Sequence, residues 1–592
     1  MSINDFFKDM NLSKEDVPYI LFLTITTSIL IILACFNPNK ILHGYDVSIY
    51  VFNSIKLSGA SLNFYIDPRY LFLSPVLSLP AALLIKMGID YFLSWALVIG
   101  LFHLIAAFSF YIFLKNRFNC LLSLTGAVFL IATTNALNIL ILSLTDVAAV
   151  GLSILTLVFF IAGVNKNPKY YLLASLTFIL AIFTRYTAGF TLPLMFFYYL
   201  SRHDFFINFD NLISDRREFK NNLIGYLKSS DFKFLLISVA FTILLFYLIS
   251  KALVSLDSQL GFISQTKSSV TGFKTNHDPY NSADSFFYFL RYKNGLLGKN
   301  YSFMGIRIVY LVYSIMIVGL ILKVYNLVKN REFIKKIYND RYAFKTRHLN
   351  IVLFASLFVL LGLMYILRHN NTIYVILFFL IAATICLSFL NRLNIDKYNY
   401  SLTFLVICMF CVYFIFFSLI NIKVHRYIIT TYPAFIYLFI LALDEIFSVI
   451  NNKFTPLKDK YLTKAFKFEF DKNTKNNIER GILLLFIIFL LVNSASAINS
   501  YEYSPEGHDI NDLCDFIINY DPSYQSKDMI TLNHYYRYFE LNLDKQVDFI
   551  PDKEVSNITD SDATYIILND NLSNPNYHLI HQEGDFTLYQ HV

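Results

Sequence analysis

Residues 70–88 read YLFLSPVLSLPAALLIKMG, and the placement of this apolar run decides the topology of the whole chain. A membrane-spanning helix needs about 20 mostly apolar residues, so the run is long enough to be a candidate. If it spans, every later loop changes sides. Pro75 and Pro80 fit a non-spanning element better, and we predict an interfacial or re-entrant helix here.

Apolar runs of spanning length recur along most of the remaining sequence. Thirteen of them are candidate transmembrane helices: 17–36, 91–113, 119–137, 146–164, 170–184, 187–200, 233–254, 303–323, 349–367, 372–390, 401–420, 427–449 and 481–498. The fifth and sixth runs are short for two crossings, which allows a tight hairpin. The pattern predicts an α-helical, polytopic membrane protein.

The composition supports the same class of protein. Of 592 residues, 56% are hydrophobic and 15% are charged, against about 25% charged in an average soluble domain. No soluble chain hides that much apolar surface in compact cores, so a cytosolic enzyme is excluded, as are a disordered protein and a small disulfide scaffold. The net charge of +7 does not indicate nucleic acid, because Lys and Arg collect in cytoplasmic loops of membrane proteins.

The basic residues fix the expected orientation. If residues 70–88 do not span, the basic clusters all fall on the side of the N-terminus. These clusters lie at 115–117, 166–169, 202–220, 329–347 and 453–480. The positive-inside rule then places the N-terminus in the cytoplasm and the C-terminus outside the cell membrane.

Two regions follow from this topology. Residues 1–498 are the expected membrane domain, with interfacial helices in a first outer loop at 37–90. Residues 499–592 shift in composition towards Asp, Glu and Asn and read as a small soluble α/β domain on the outer face. Its strand-like runs lie at 529–532, 547–550, 564–568 and 586–589, and its helix-like stretch at 509–519.

Two acids stand at the expected outer ends of apolar segments, where ionisable groups are costly and therefore functional candidates. Asp46 precedes the stretch VSIYVFNSIKL in the first outer loop, so it is either a helix N-cap or a catalytic group. Asp146 opens the run 146–164. A carboxylate is electrostatically stable at a helix N-terminus, so a structural role is open there too.

Three arginines are expected at the same depth. Arg69 precedes the interfacial run, Arg185 lies at the tip of the short hairpin, and Arg426 opens the run 427–449. Each side chain can serve as an interfacial anchor. Each can also bind a phosphate, which suits guanidinium geometry and its permanent charge. Two acids and three arginines on one face of a membrane indicate a site for an anionic, membrane-bound substrate.

Five stretches carry a resemblance to a known family. They are HGYDVSIY (43–50), YIDPRYLFLSPVLSLPAALLIKMG (65–88), LILSLTDVAAVGL (140–152), FTRYTAGFTLPL (183–194) and HRYIITTYPAF (425–435). The order of these stretches and their side of the membrane resemble those of the GT-C superfamily of membrane glycosyltransferases. The resemblance is to family 39-like enzymes in particular, the dolichyl-phosphate-mannose protein mannosyltransferases and the lipid A aminoarabinose transferases. The resemblance covers about residues 1–450.

The resemblance implies a GT-C helix bundle and a specific chemistry. Such enzymes transfer a sugar from a polyprenyl-phosphate lipid to a glycan, lipid or protein acceptor on the outer face. By this resemblance Asp46 is the base and Asp146 a second catalytic acid. The residues implied for the lipid phosphate and the sugar are Tyr45, Arg69, Arg185, Tyr186, His425 and Arg426. Some relatives bind a divalent metal near two acids, although no dense His or carboxylate cluster in this sequence requires one.

The expected mechanism is a single displacement with inversion. A base takes the proton of the acceptor hydroxyl, and guanidinium groups stabilise the departing lipid phosphate. Two other functions remain open. A polytopic transporter or lipid-glycan flippase would place ionisable residues at mid-membrane and often shows internal repeats. A non-catalytic membrane scaffold would serve to display the acidic tail.

Overall fold

The structure of the chain is a computed structural model. It describes residues 3–37, 45–60, 63–64, 74–203, 216–253, 287–299, 301–303, 305–329, 347–367, 372–392, 397–419, 424–457, 472–501, 505–532, 535–550, 562–569, 572 and 574–592. Arg69 and the side chain of Tyr45 lie outside these described parts, so the roles expected of them stay predictions.

Helices make up most of the described chain. They are α1 (Ile3–Asp9), α2 (Val17–Cys35), α3 (Tyr45–Ser58), α4 (Pro75–Lys86), α5 (Tyr91–Lys115), α6 (Cys120–Ile131), α7 (Thr134–Ile141), α8 (Asp146–Asn165), α9 (Tyr170–Thr184), α10 (Thr191–Arg202), α11 (Arg216–Lys228), α12 (Ser230–Leu253), α13 (Phe287–Leu296), α14 (Ile308–Lys329), α15 (Arg347–Leu367), α16 (Thr372–Arg392), α17 (Lys397–Leu419), α18 (Tyr432–Leu457), α19 (Lys472–Asn499), α20 (Pro505–Tyr520) and α21 (Tyr536–Leu543). Short 3-10 helices lie at Lys14–Asp16, Tyr186–Phe190, His425–Thr431 and Tyr524–Ser526. Each of the thirteen apolar runs contains a helix, which confirms the α-helical polytopic fold, although the run 303–323 begins with short strands.

Within the described residues, eight helices are long and apolar enough to cross a membrane, and the pair α6 and α7 would make a ninth. The run 119–137 covers α6 and the first half of α7, and these two helices meet at 55°. Backbone carbonyls freed at the break find partners inside the bundle, as membrane burial requires. The Thr133 hydroxyl donates to the Leu130 carbonyl at 2.9 Å, and the Tyr301 hydroxyl donates to the Ala132 carbonyl at 2.6 Å.

Within the run 70–88, the described part contains α4, a helix of 12 residues. Its length of about 18 Å is too short to cross a hydrocarbon core of about 30 Å, in agreement with the predicted non-spanning helix. Gly88 ends the helix in a left-handed conformation with φ +87°. Leu79, Leu83 and Met87 follow one another at helical spacing and are exposed, which suits insertion of this face into the membrane interface.

Helices α5 and α8 pack closely against each other. A Cβ atom added at Gly151 of α8 would lie 2.7 Å from the Cβ of Ala106 in α5, so glycine allows the two backbones to approach. At the start of α5, the Trp95 indole N–H donates to the Ser143 carbonyl, in the turn before α8, at 2.8 Å.

The C-terminal part forms a small mixed sheet covered by α20 and α21. Its strands are β3 (Met529–Leu532), β4 (Asp548–Ile550), β5 (Tyr565–Leu568), β6 (Tyr577–Glu583) and β7 (Phe586–His591), in the order β4-β3-β5-β7-β6. Strand β3 is parallel to β4 and β5, and the pairs β5–β7 and β6–β7 are antiparallel. The four predicted strand runs all form strands, whereas β6 and α21 had not been predicted. A two-stranded ribbon, β1 (Ser302–Phe303) and β2 (Ile306–Arg307), precedes α14.

This C-terminal sheet domain contacts α3 and residues 63–64, which follow it. The backbone and side-chain N–H groups of Asn63 donate to the Asp544 carboxylate at 3.2 and 2.8 Å. Leu541 at the end of α21 packs against Phe52 of α3 and Phe64. The domain is thereby joined to the helix that begins with Tyr45 and Asp46.

Candidate active site

Asp46 lies in the first turn of α3, where the helix N-terminus favours a negative charge. Its carboxylate accepts a hydrogen bond from Nη2 of Arg426. The Asp46 side chain is 37% exposed. A partly exposed carboxylate can be reached by a substrate from outside the bundle.

Asp146 is the first residue of α8 and is only 2% exposed. It is placed by a tight turn that closes α7. Ser143 adopts a left-handed conformation with φ +54°, and the Leu144 N–H donates back to the Ile139 carbonyl at 2.9 Å. This pattern is a Schellman turn, which ends one helix sharply and lets the next begin within a few residues.

Two of the three predicted arginines converge on these acids. Arg185 leaves α9 in extended backbone conformation, and its Nη1 lies 3.1 Å from Oδ2 of Asp146. The Nε of Arg426 lies 3.7 Å from the same carboxylate oxygen. Acids and guanidinium groups therefore alternate in the order Asp46, Arg426, Asp146, Arg185. The two positive and two negative charges balance one another, which makes their burial tolerable.

Aromatic rings surround this group of four, hereafter the acid–arginine network. The guanidinium carbons of Arg185 and Arg426 lie 5.0 and 5.8 Å from the ring centroid of Tyr427, within cation–π distance. Tyr50 follows Asp46 by one helical turn. Burial, reinforced by the Asp46 charge, raises the pKa of Tyr50 to about 12. Its phenol therefore stays neutral at physiological pH and can donate a hydrogen bond.

The 3-10 helix that carries Arg426 is held at its backbone. The Asn135 amide donates to the His425 carbonyl at 3.0 Å and to the Tyr432 hydroxyl at 3.1 Å. The Tyr288 hydroxyl donates to the Val424 carbonyl at 3.1 Å, and the Val424 N–H also contacts it at 3.1 Å. These bonds come from α7 and α13, so both helices help to place Arg426.

The remaining predicted site residues lie at different places. His425 is exposed, and its ring lies 5.2 Å from the ring of Phe287 in α13, whereas its backbone belongs to the segment beside Asp46. Tyr186 follows Arg185 and lies close enough to Tyr50 to interact with it electrostatically. Burial raises the pKa of Tyr186, so its phenol also remains a neutral donor. Arg69 lies outside the described residues.

Sequence reasoning missed four residues that shape the site. They are Tyr50, Trp95, Asn135 and Tyr288. Tyr50 carried a usable signal, because a residue four positions after Asp46 falls on the same helix face. The others come from helices distant in sequence, and nothing in their local pattern indicates a site.

A divalent metal between the two acids does not fit this arrangement. Arg426 contacts both Asp46 and Asp146, so a fixed positive charge already occupies the space that a cation would share. In the described part of the chain, no group of three or more His, Cys, Asp or Glu side chains is arranged to hold a metal ion.

The fold of the chain is similar to that of a solved membrane protein. The structure matches that of ArnT from Cupriavidus metallidurans bound to undecaprenyl phosphate, with a TM-score of 0.55 and 11% sequence identity, over 97% of this chain and 98% of ArnT. ArnT in the apo state matches over the same shares, with a TM-score of 0.53 and 10% identity. No protein-family model matches the sequence, and neither does any curated protein. The chain is thus a multi-pass membrane protein with a fold like that of ArnT.

Proposed function

We propose that the protein is a glycosyltransferase that moves a sugar from a polyprenyl-phosphate lipid to an acceptor on the outer face of the membrane. The observation that carries the proposal is the acid–arginine network. It supplies an accessible carboxylate beside two guanidinium groups, which are the groups that proton removal and phosphate departure require. ArnT, whose fold is similar, binds undecaprenyl phosphate, which supports a lipid of this class as the donor.

The two acids differ in exposure, and this difference suggests different roles. Asp46 is 37% exposed and contacts one arginine, whereas Asp146 is 2% exposed and lies near two. Asp46 is therefore the proposed base that takes the acceptor proton. Asp146 holds Arg185 and Arg426 in place. The sequence predicts a catalytic role for Asp146, whereas the role proposed here is to position the two arginines.

The bond between Asp46 and Arg426 gives the proposal a defined order of events. While one Asp46 oxygen accepts the Arg426 N–H, that oxygen is occupied. A lipid phosphate binding between the guanidinium groups competes for Arg426, because both are charge-assisted acceptors. Donor binding would thereby free Asp46 for the acceptor hydroxyl. The hydroxyl oxygen then attacks the anomeric carbon, the bond to the phosphate oxygen breaks, and the phosphate leaves as an anion beside the arginines.

The network lies at one end of the bundle, and we propose that this end faces outward. Trp95, beside the network, and Lys115 stand 20 positions apart on α5, or about 30 Å, which is one hydrocarbon thickness. At the far end, Lys115 pairs with Asp16 at 3.1 Å, and Arg117 donates to the Thr403 hydroxyl at 2.7 Å. Basic residues at that end support a cytoplasmic assignment. The N-terminus would then be cytoplasmic and the C-terminal domain extracytoplasmic.

The position of the charges favours a transferase over a transporter or flippase. Asp46, Asp146, Arg185 and Arg426 all lie at or beside the ends of helices. A transporter would more often place its charged residues near the bilayer midplane, on interrupted helices. The sugar and the acceptor are left open by this geometry.

The proposal can be tested with purified protein in lipid nanodiscs. Binding of undecaprenyl phosphate is measured first. Transfer is then measured from a panel of radiolabelled undecaprenyl- and dolichyl-phosphate sugars to membrane fractions that supply acceptors. Wild-type protein should bind the lipid phosphate and release it from at least one sugar donor. Asp46→Asn should bind the lipid phosphate but lower the transfer rate by about 10²–10⁴-fold, as expected for loss of a general base.

Asp90→Asn is the matched control. Asp90 is exposed and caps α5 by accepting the Leu93 N–H at 2.9 Å, and asparagine caps helices equally well. This variant should transfer sugar at the wild-type rate. Undiminished transfer by Asp46→Asn would remove the proposed base, and wild-type protein unable to bind any polyprenyl phosphate would refute the function.

A further inference from the structure

Trp95 lies between the elements that carry Asp46 and Asp146 but is not itself part of the acid–arginine network. It is the single tryptophan of the chain and is fully buried. Its ring edge and its ring face contact different elements, and each of these elements carries one of the two acids. A residue in that position can set the separation of the acids.

The ring edge holds the segment before Asp146. The Trp95 indole N–H donates to the Ser143 carbonyl at 2.8 Å, and the bond is buried. Ser143 is the left-handed residue of the turn that begins α8. A buried carbonyl that loses its donor is costly to leave unsatisfied, so this bond fixes where α8 starts.

The ring face holds the helix that carries Asp46. The rings of Trp95 and Tyr50 stack with centroids 5.2 Å apart and an interplanar angle of 23°. Tyr50 lies one turn after Asp46 on α3 and close enough to Thr145, the residue before Asp146, to interact with its side chain. Val47, Val51 and the Tyr50 ring pack with Trp95 in one apolar cluster.

We infer that Trp95 is a positioning residue that fixes the Asp46–Arg426 pair relative to the Asp146–Arg185 pair, and so sets the spacing of the two guanidinium groups for a lipid phosphate. The ligand part of this inference rests on the proposed function. The positioning part rests on the contacts of Trp95 alone. Misplacement of binding groups by about 1 Å can lower activity or binding strongly even when the altered residue is remote.

The test compares Trp95→Phe with Phe110→Leu. The first variant keeps an aromatic face for Tyr50 and removes the N–H donor to Ser143. The second reduces another fully buried ring of α5, about four turns further along, where it reaches neither acid. Both variants are first shown to remain folded by size-exclusion chromatography and thermal unfolding in nanodiscs.

Two measurements follow on the intact protein. Hydrogen exchange with mass spectrometry should show faster exchange, by about tenfold or more, in both 45–58 and 142–150 for Trp95→Phe. Phe110→Leu should leave both segments at the wild-type rate. Affinity for undecaprenyl phosphate should fall by about tenfold in Trp95→Phe and stay within about threefold of wild type in Phe110→Leu.

The outcomes of these measurements test the positioning role of Trp95. Exchange that is unchanged in either segment of Trp95→Phe overturns the inference, and so does an undiminished affinity for undecaprenyl phosphate. If wild-type protein does not bind undecaprenyl phosphate, the proposed function fails, and the exchange measurement alone decides whether Trp95 couples the two segments. Loosening of both segments by Phe110→Leu would also count against a specific role of Trp95.

Discussion

The carboxylate of Asp146 lies 3.1 Å from Nη1 of Arg185, with only 2% of the acid exposed. Arg426 approaches the same oxygen to 3.7 Å. One buried acid therefore orients two guanidinium groups, while the more exposed Asp46 remains accessible. This asymmetry separates a residue that holds the site together from one that can react.

Removal of the buried acid should cost far more stability than removal of the exposed one. In Asp146→Asn the two arginines lose their shared counter-charge, and breaking a buried ion pair costs about 3–5 kcal/mol. Asp46→Asn breaks a partly exposed pair, for which about 0–1 kcal/mol is typical. Thermal unfolding in nanodiscs, followed by the fluorescence of Trp95, measures both. Equal melting temperatures for the two variants would contradict the assignment of roles.

Arg426→Lys should weaken lipid-phosphate binding although it keeps the charge. The Arg426 guanidinium reaches Asp46 with Nη2 and Asp146 with Nε, a fork that a single ammonium group cannot reproduce. We expect about tenfold weaker binding of undecaprenyl phosphate, measured in nanodiscs. Arg117→Lys, at the opposite end of the bundle, is the control and should bind as the wild type does.

Asn135→Ala should disturb Arg426 from a distance. The Asn135 amide donates to the His425 carbonyl and to the Tyr432 hydroxyl, so its loss frees the backbone next to Arg426. We expect the transfer rate to fall by about tenfold or more, and segment 424–432 to exchange hydrogen faster. Wild-type exchange in that segment would show that the amide does not hold it.

Much of the fold was predictable because membrane burial dictates a simple pattern. Long apolar runs must be helical in a bilayer, and each of the thirteen runs contains a helix. Non-spanning α4 could be recognised from Pro75, Pro80 and the balance of basic loops. The break between α6 and α7 could not, because no Pro or Gly stands at 132–133. The Tyr301 hydroxyl, which comes from a distant part of the chain, donates to the Ala132 carbonyl at the break, and no local pattern indicates that bond.

The candidate site was predictable only in part, because charged residues stand out in an apolar sequence and aromatic ones do not. Charges at the ends of apolar runs stand out, so Asp46, Asp146, Arg185 and Arg426 could be selected, and the structure brings these four together. Their catalytic roles stay predictions. Trp95 could not be selected, because 17% of the chain is aromatic and its role depends on contacts with residues about 45 positions away on either side.

The C-terminal domain should lose stability as pH rises through neutrality. Glu540 of α21 is 1% exposed, and burial raises its pKa from 4.5 to about 8. Between those two values the folded state binds one proton more than the unfolded state. Stability therefore falls with increasing pH, by up to about 1.4 kcal/mol per pH unit, and this loss is complete above about pH 8.

Glu540→Gln should remove this dependence. The amide copies the shape of the protonated acid and can still accept the Gln546 N–H, which now donates to Oε1 at 2.7 Å. Hydrogen exchange of residues 505–592, measured from pH 5.5 to 8.5 and corrected for the intrinsic rate, gives the stability of the domain. If the stability of the domain falls equally with pH in the wild type and in Glu540→Gln, a group other than Glu540 titrates.

Detachment of the C-terminal domain should loosen α3. Leu541 packs against Phe52 of α3, and Asp544 accepts two hydrogen bonds from Asn63, between α3 and α4. The double variant Leu541→Ala and Asp544→Gly removes both contacts. Glycine also suits position 544, where φ is +45°, so the turn after α21 should not be strained.

We expect peptides from 45–58 to exchange hydrogen faster in this double variant, by about threefold or more, because α3 loses one of its packing partners. Residues of the sheet should exchange as in the wild type, since its own core is untouched. Leu579→Ala, which shortens an exposed side chain on the edge strand β6, is the control and should change neither segment. Wild-type exchange in α3 of the double variant would mean that the domain does not support the helix bearing Asp46.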